Sequence, residues 1–361
     1  MEQANKSFTM SRRLPIYFLI DVSESMVGEQ IQLVEEGLAT IIKELKADPY
    51  ALETVHISII AFAGQAMTLV PLTDIINFYP PKFPIGGGTS LGNGLGQLMF
   101  EMRKNIIKTT TETKGDWKPI IFLFTDGVPT DDTRTAFSEW KQNWQRQTNL
   151  VAVSFGEATD LHLLKELTDN VLLFKNTTAQ SYKEFFRWVT ASIKSSSVSV
   201  DSNGSGFELA KTNEEVVSKI DLTKAPKKTN FIDTNFAVFI AKCQNTKKPY
   251  LMKYKNSTTE TDFGSDLNLQ TKYYRLAGAY PVDNSYFELS NEASLNQKIS
   301  TEELEGFPAC PCCGNQWGFS VCACGKLHCS GNEKITICPW CGNQGEYGFG
   351  GNPLNIDRTQ G

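Results

Sequence analysis

The sequence predicts an α/β domain with a doubly wound, mostly parallel sheet, followed by a small β-rich domain built around clustered cysteines. Three observations carry this. Uncharged runs of strand length alternate with amphipathic helical runs from Ile16 to Ile193. Composition then shifts to serine, glycine and lysine over residues 195–230. Of nine cysteines, only Cys243 lies outside residues 310–341, a placement that points to metal rather than to disulfides spread through a fold.

Residues 1–13 are polar and read as a flexible N-terminus. Ile16-Tyr17-Phe18-Leu19-Ile20 is a strand buried on both faces, ending in Asp21-Val22-Ser23-Glu24-Ser25. Ile31, Val34, Leu38, Ile41, Ile42 and Leu45 share one helix face, and Asp48-Pro49 ends that helix. His56–Phe62 is a strand, with a second short one near Met67–Val70. A loop rich in proline and glycine delivers Thr89 in Gly86-Gly87-Gly88-Thr89-Ser90, and a helix follows through Leu91, Leu95, Leu98 and Met102. Ile120–Thr125 is a further central strand, ending in Asp126-Gly127. A helix at Phe137, Trp140 and Trp144, strands at 151–155 and 171–174, and a helix through Tyr182, Phe185, Phe186, Val189 and Ile193 complete a domain over residues 14–194. Residues 195–230 read as a Ser/Lys-rich tether, open to phosphorylation as a regulatory segment. Phe236–Cys243, Tyr250–Lys255 and Tyr273–Tyr280 are strands of a β-rich, cysteine-bearing domain over 231–349, and 350–361 read as a frayed tail.

The chain of 361 residues has 35 basic and 40 acidic side chains, mixed along its length, for a net charge of −5. That balance lacks the basic footprint of a nucleic-acid binder. No apolar stretch reaches the length of a membrane span. The first strand is too short for a signal-peptide core and lacks a cleavage site, so a cytoplasmic location is expected.

Asp21, Ser23, Ser25, Thr89 and Asp126 all follow strand ends or a glycine loop, where open parallel sheets bind ligands. Two carboxylates and three hydroxyls form a hard-oxygen set suited to Mg²⁺, with an open position for a carboxylate from another molecule. Asp131 and Asp132 read as helix caps. Gly88-Thr89-Ser90-Leu91-Gly92 matches a nucleophile elbow. The prolines at 80, 81 and 84 exclude the strand an elbow needs, and His162 sits on a short amphipathic helix rather than in a triad.

Asp21-x-Ser23-x-Ser25, then Thr89, then Asp126 in Thr125-Asp126-Gly127 resembles the metal-ion-dependent adhesion site (MIDAS) of von Willebrand factor type A domains. The resemblance covers residues 14–194. It implies a fold of that type and divalent-metal-dependent protein binding rather than catalysis.

Cys310-Pro311-Cys312-Cys313-Gly314 and Cys338-Pro339-Trp340-Cys341-Gly342 are two Cys-x-x-Cys-Gly turns. Cys310, Cys313, Cys338 and Cys341 are expected to form a closed tetrahedral Zn²⁺ site, a zinc ribbon, with the intervening segment as a hairpin. Such a site supplies about 10–16 kcal/mol of apparent binding free energy, so the segment should require zinc to fold. Cys322, Cys324 and Cys329, with His328 or Cys243, form a second zinc site, replace one pair of the first, or remain buried thiols; spacing leaves these open. Cys312, inside its turn, is the least suited to bind metal.

These cysteine motifs, with Cys322-Ala323-Cys324-Gly325-Lys326-Leu327-His328-Cys329, resemble the cysteine-rich domain that follows the A domain in TerY-type proteins of bacterial tellurium-resistance systems. That resemblance implies a stress-response setting and association with a protein kinase and a PP2C-type phosphatase. The function expected is a non-catalytic scaffold that grips a partner carboxylate through Mg²⁺. One alternative is a metal-dependent hydrolase or phosphatase at the Asp21 cluster. That needs a general base, for which Glu24, read as facing solvent, is the nearest candidate. The other is a zinc-responsive sensor, for which closed Cys₄ sites are poorly suited.

Overall fold

The computed structural model describes residues 12–112, 114–155, 160–174, 178–199, 210, 217–219, 235–257, 259–262, 268–271, 273–291, 297–331, 333–347 and 353–359. The N-terminal stretch 1–11 and most of 200–234, both read above as flexible, lie outside them.

The first domain runs β1 (Leu14–Asp21), α1 (Glu29–Lys46), α2 (Pro49–Thr54), β2 (Val55–Phe62), β3 (Ala66–Asp74), α3 (Leu91–Asn105), β4 (Ile120–Thr125), α4 (Arg134–Asn143), β5 (Asn149–Phe155), α5 (Leu161–Leu167), β6 (Asn170–Phe174), α6 (Ala179–Ser199) and β7 (Val217–Lys219). Its sheet has the order β3-β2-β1-β4-β5-β6-β7. The five central strands are parallel, and β3 and β7 close the edges antiparallel. Every residue of β1 and β4 is buried. Alternate side chains serve opposite faces. Ile16, Phe18 and Ile20 join Phe122, Phe124 and the apolar stripes of α1 and α6, whereas Tyr17 and Leu19 join Leu95, Met99 and Trp140 from α3 and α4. That two-sided burial explains why these strands read as continuous apolar runs.

Three readings change. Asp48 does not merely end α1: its carboxylate accepts from Ala51 N at 3.0 Å and caps α2. The 195–230 stretch is not a simple tether. Ser195, Ser196 and Ser197 extend α6, where Ser196 and Ser197 are buried, and Val217–Lys219 adds an edge strand to β6. Serine over a helix end and a short edge strand give no hydrophobic period to read.

The second domain contributes β8 (Phe236–Lys242), β9 (Pro249–Asn256), β10 (Thr259–Asp262), β11 (Asn268–Thr271), β12 (Tyr274–Pro281), α7 (Ser285–Leu289), β13 (Lys298–Ser300), β14 (Leu304–Glu305), β15 (Phe319–Val321), β16 (Leu327–Cys329), β17 (Ile335–Ile337), β18 (Gln344–Glu346) and β19 (Asn355–Asp357). Six of these form a sheet in the order β14-β12-β9-β8-β16-β15. The third change is here. Residues 353–359 are not frayed: β19 pairs with β13, Ile356 is buried, and Thr359 N donates to Val238 O at 2.9 Å.

The domains meet in one apolar cluster, while the second keeps a separate cluster of its own around Phe239, Tyr254 and Leu327. Val238, Leu251, Tyr286 and Leu289 are buried in the same cluster as β1 and α1. Among the described residues no helix is long and apolar enough to cross a membrane.

Candidate metal sites

β1 and β4 are adjacent in the sheet but distant in the chain, so their C-terminal ends form the point where strand order reverses. Asp21 ends β1, and Asp126 follows β4. A run of hydrogen bonds through Ser23 and Ser25 joins them. Ser23 N donates to Asp21 Oδ1 at 2.9 Å, the Ser23 and Ser25 hydroxyls lie 3.0 Å apart, and Ser25 Oγ donates to Asp126 Oδ1 at 2.7 Å. Thr125 Oγ1 donates to Asp21 Oδ2 at 2.7 Å, a supporting hydroxyl that the motif does not include.

Thr89 arrives from the glycine loop. That loop is tied to the β1 end by a bridge between Ser23 and Gly86, and Gly88 has φ of 94°. Thr130 holds Thr89 on both sides: Thr89 N donates to Thr130 Oγ1 at 3.0 Å and Thr130 N to Thr89 O at 2.9 Å. Thr89 Oγ1 lies beside Gly127, where an added Cβ would come within 3.1 Å of it. Asp131 accepts from Gly92 N and Asn93 N at the start of α3, and Asp132 pairs with Arg134. Both therefore serve helix ends.

The five side chains are buried, none above 5 % exposed. Burial raises the Asp21 carboxyl from 3.8 to about 6, against the bonds from Ser23 and Thr125 that favour its charge. An all-oxygen set with two buried carboxylates fits a hard divalent cation, which would remove that penalty.

The cysteines assemble differently from the expected ribbon. Cys310 and Cys313 do not meet Cys338 and Cys341. One cluster is Cys243, Cys310, Cys313 and Cys329, and the other is Cys322, Cys324, Cys338 and Cys341, with all four sulfurs of each within 4.8 Å of one another. The reason is tertiary. Strand β16 pairs parallel to β8, Leu327 beside Ala241 and His328 beside Lys242, which carries Cys329 to Cys243. The turn at the other end of the β15–β16 hairpin holds Cys322 and Cys324 against the β17–β18 turn. Sulfur separations of 3.9 Å (Cys313–Cys329), 3.7 Å (Cys322–Cys341) and 4.0 Å (Cys324–Cys338) match the edge of about 3.8 Å of a tetrahedron with Zn–S near 2.3 Å. They exceed a disulfide length of about 2.05 Å, and all nine cysteines are free.

Each cluster is built from tight turns. Gly314, Gly325 and Gly342 have positive φ, with Gly314 N donating to Cys310 O and Gly342 N to Cys338 O. The fourth turn is Cys243-Gln244-Asn245-Thr246-Lys247, in which Lys247 takes φ of 61°. Thr246 N points at Cys243 Sγ (3.3 Å) and Gln244 N at Cys329 Sγ (3.1 Å), the kind of donors that support thiolates. His328 joins neither cluster. Its Nδ1 faces Cys329 O at 3.0 Å and its ring stands edge-on to Tyr347. Cys312 also stays outside, 4.0 Å from Pro249 O.

Residues 16–188 match the von Willebrand factor type A domain, and residues 233–361 match the TerY-C metal binding domain. The chain carries a von Willebrand factor type A domain followed by a TerY-C metal binding domain. Solved structures with similarity to it include proximal thread matrix protein 1 from the mussel byssus, at 16% identity and TM-score 0.37 over 50% of this chain and 48% of that one. A second structure of that mussel protein, with a zinc-occupied MIDAS motif, matches at 17% and 0.36 over 50% and 46%. The ArnB paralog VWA2 from Sulfolobus acidocaldarius matches at 13% and 0.35, over 76% of this chain and 67% of that one. This chain spans about half the length of the mussel protein.

Glu24 corrects one reading inside the A domain. It does not face solvent. It is fully buried, and its carboxylate accepts a hydrogen bond from Tyr286 of the TerY-C domain. Ser90 of the elbow-like sequence is fully buried at the start of α3, after a loop rather than a strand.

Proposed function

We propose that this protein is a non-catalytic scaffold. In this reading Asp21, Ser23, Ser25, Thr89 and Asp126 would hold one Mg²⁺, at which a carboxylate of a partner protein would bind. The observation that carries it is the hydrogen-bonded run at the sheet's switch point, from Asp21 through the Ser23 amide and then through the Ser23 and Ser25 hydroxyls to Asp126. When bound, the cation supplies a positive centre for an anionic ligand. The chain's own residues position it: Thr125 orients Asp21, and Thr130 fixes Thr89. A hydrolase reading needs a general base beside the ion. Glu24 is engaged with Tyr286, which favours binding over turnover. The two cysteine clusters are read as closed structural Zn²⁺ sites that hold the TerY-C domain together. The partners assigned, by family resemblance, are a protein kinase and a PP2C-type phosphatase in a cytoplasmic stress-response system.

The test is affinity capture from native lysate with and without Mg²⁺, using wild type and Asp126→Ala. A partner retained only by wild type with Mg²⁺ supports the reading. Capture that ignores both the ion and the substitution refutes it, as would phosphoester turnover by the purified protein that Asp126→Ala abolishes.

A further inference from the structure

The loop that leaves β1 sends successive side chains in opposite directions. Ser23 and Ser25 face Asp21 and Asp126, and Glu24 between them faces the TerY-C domain. Tyr286 in α7 donates its hydroxyl to the buried Glu24 carboxylate. From the other side, Lys253 in β9 reaches the same turn. Lys253 is 5 % exposed, and its ammonium donates to Ser25 O, to Val27 O at 3.2 Å and to Gln30 Oε1 at 3.2 Å. It thereby ties down the backbone from Ser25 to Val27, next to the Ser25 hydroxyl.

The glycine loop that delivers Thr89 is held by the same domain. Gly87 N donates to Ser290 Oγ at 2.8 Å, and Asn291 N donates to Gly87 O at 3.2 Å. The approach is close enough to exclude side chains: a Cβ on Gly64 would sit 2.1 Å from Asn291 N, and one on Gly86 2.6 Å from Leu289 Cβ. Two of the three loops that bring oxygens to the Asp21 cluster therefore rest on residues more than 200 positions away in sequence.

We propose that the TerY-C domain sets the geometry of the divalent-cation site in the A domain, with Lys253 and Tyr286 as its positioning residues. This rests on the reading of the Asp21 cluster as a cation site. The hydrogen bonds described for these two residues go to Ser25 O, Val27 O, Gln30 Oε1 and the Glu24 carboxylate. Lys253 fixes the backbone that carries Ser25. Tyr286 anchors Glu24, and with it the backbone between Ser23 and Ser25, to the TerY-C domain.

The experiment titrates Mn²⁺ into the full-length protein and reads bound ion by electron paramagnetic resonance, for wild type, Lys253→Met, Tyr286→Phe and Asp21→Ala. Methionine keeps the apolar stem of Lys253 and removes its donors. Zinc content and near-ultraviolet circular dichroism are read in parallel. The expected result is Mn²⁺ binding at least about tenfold weaker in Lys253→Met and Tyr286→Phe, with a changed hyperfine pattern and unchanged zinc content. If Lys253→Met loses its tertiary signal, Tyr286→Phe decides the matter. Affinities within twofold of wild type in a folded variant overturn this inference and leave the cation site standing. No binding by wild type above the Asp21→Ala control overturns both.

Discussion

Replacing Asp21 by asparagine should stabilise the A domain without a divalent ion and abolish its stabilisation by one. Burial raises the Asp21 carboxyl from 3.8 to about 6, so ionising it in the folded chain costs about 3 kcal/mol. Because the folded value lies above the unfolded one, stability from this group is complete below about pH 4. It is lost as pH rises through about 6. Asparagine never carries the charge. It keeps an acceptor for Ser23 N but turns an amide toward one former donor, at a cost of about 1 kcal/mol. The net gain at pH 7.5 is about 2 kcal/mol, or about 4–8 °C in the melting transition of a domain this size. The assay is differential scanning fluorimetry in Chelex-treated buffer that leaves zinc bound, at pH 4.5 and 7.5, with and without Mg²⁺. The advantage of Asp21→Asn should vanish at pH 4.5. Saturating Mg²⁺ at about a hundred times its dissociation constant should add about 2.7 kcal/mol to wild type alone. An equal Mg²⁺ response in both proteins, or a variant destabilised alike at both pH values, would refute the reasoning.

Other outcomes follow from the cysteine clusters and the core. Native mass spectrometry should find two zinc ions in wild type and in Cys312→Ser, but one in Cys243→Ser and one in Cys338→Ser, since those two cysteines belong to different clusters. Burial pushes the Cys329 thiol up to about 12, so zinc uptake must expel its proton. Stopped-flow with a pH indicator should show proton release on reloading the apoprotein, and zinc affinity should fall as pH falls. Gly37→Ala should lower stability by about 1–3 kcal/mol in chemical denaturation, because its Cβ would lie 1.9 Å from Phe186 Cδ2 at the α1–α6 contact.

What the sequence determined by itself is local. Uncharged runs such as Ile16–Ile20 and Ile120–Phe124, set between amphipathic helical stretches, read as strands buried on both faces of a parallel sheet, so the strand ends and the acidic and hydroxyl side chains placed there were legible. Cys-x-x-Cys-Gly turns were legible for the same reason, since a few adjacent residues fix their geometry. Which turn meets which was not. Cys243 precedes Gln244-Asn245-Thr246-Lys247, with no second cysteine and no glycine, and its turn is completed by Lys247 at positive φ. A lone cysteine followed by a backbone turn of that length was the only available signal.

Tertiary structure alone decided the sulfur clusters and the fate of Glu24. The parallel pairing of β16 with β8 is a contact of two short strands far apart in the chain, and it moves Cys329 away from its sequence neighbours Cys322 and Cys324. Glu24 occupies a loop position where a carboxylate ordinarily meets water, yet a tyrosine hydroxyl from the other domain and the shared apolar core bury it. Pairings of this kind depend on summed burial across the whole molecule, which no window of neighbouring residues encodes.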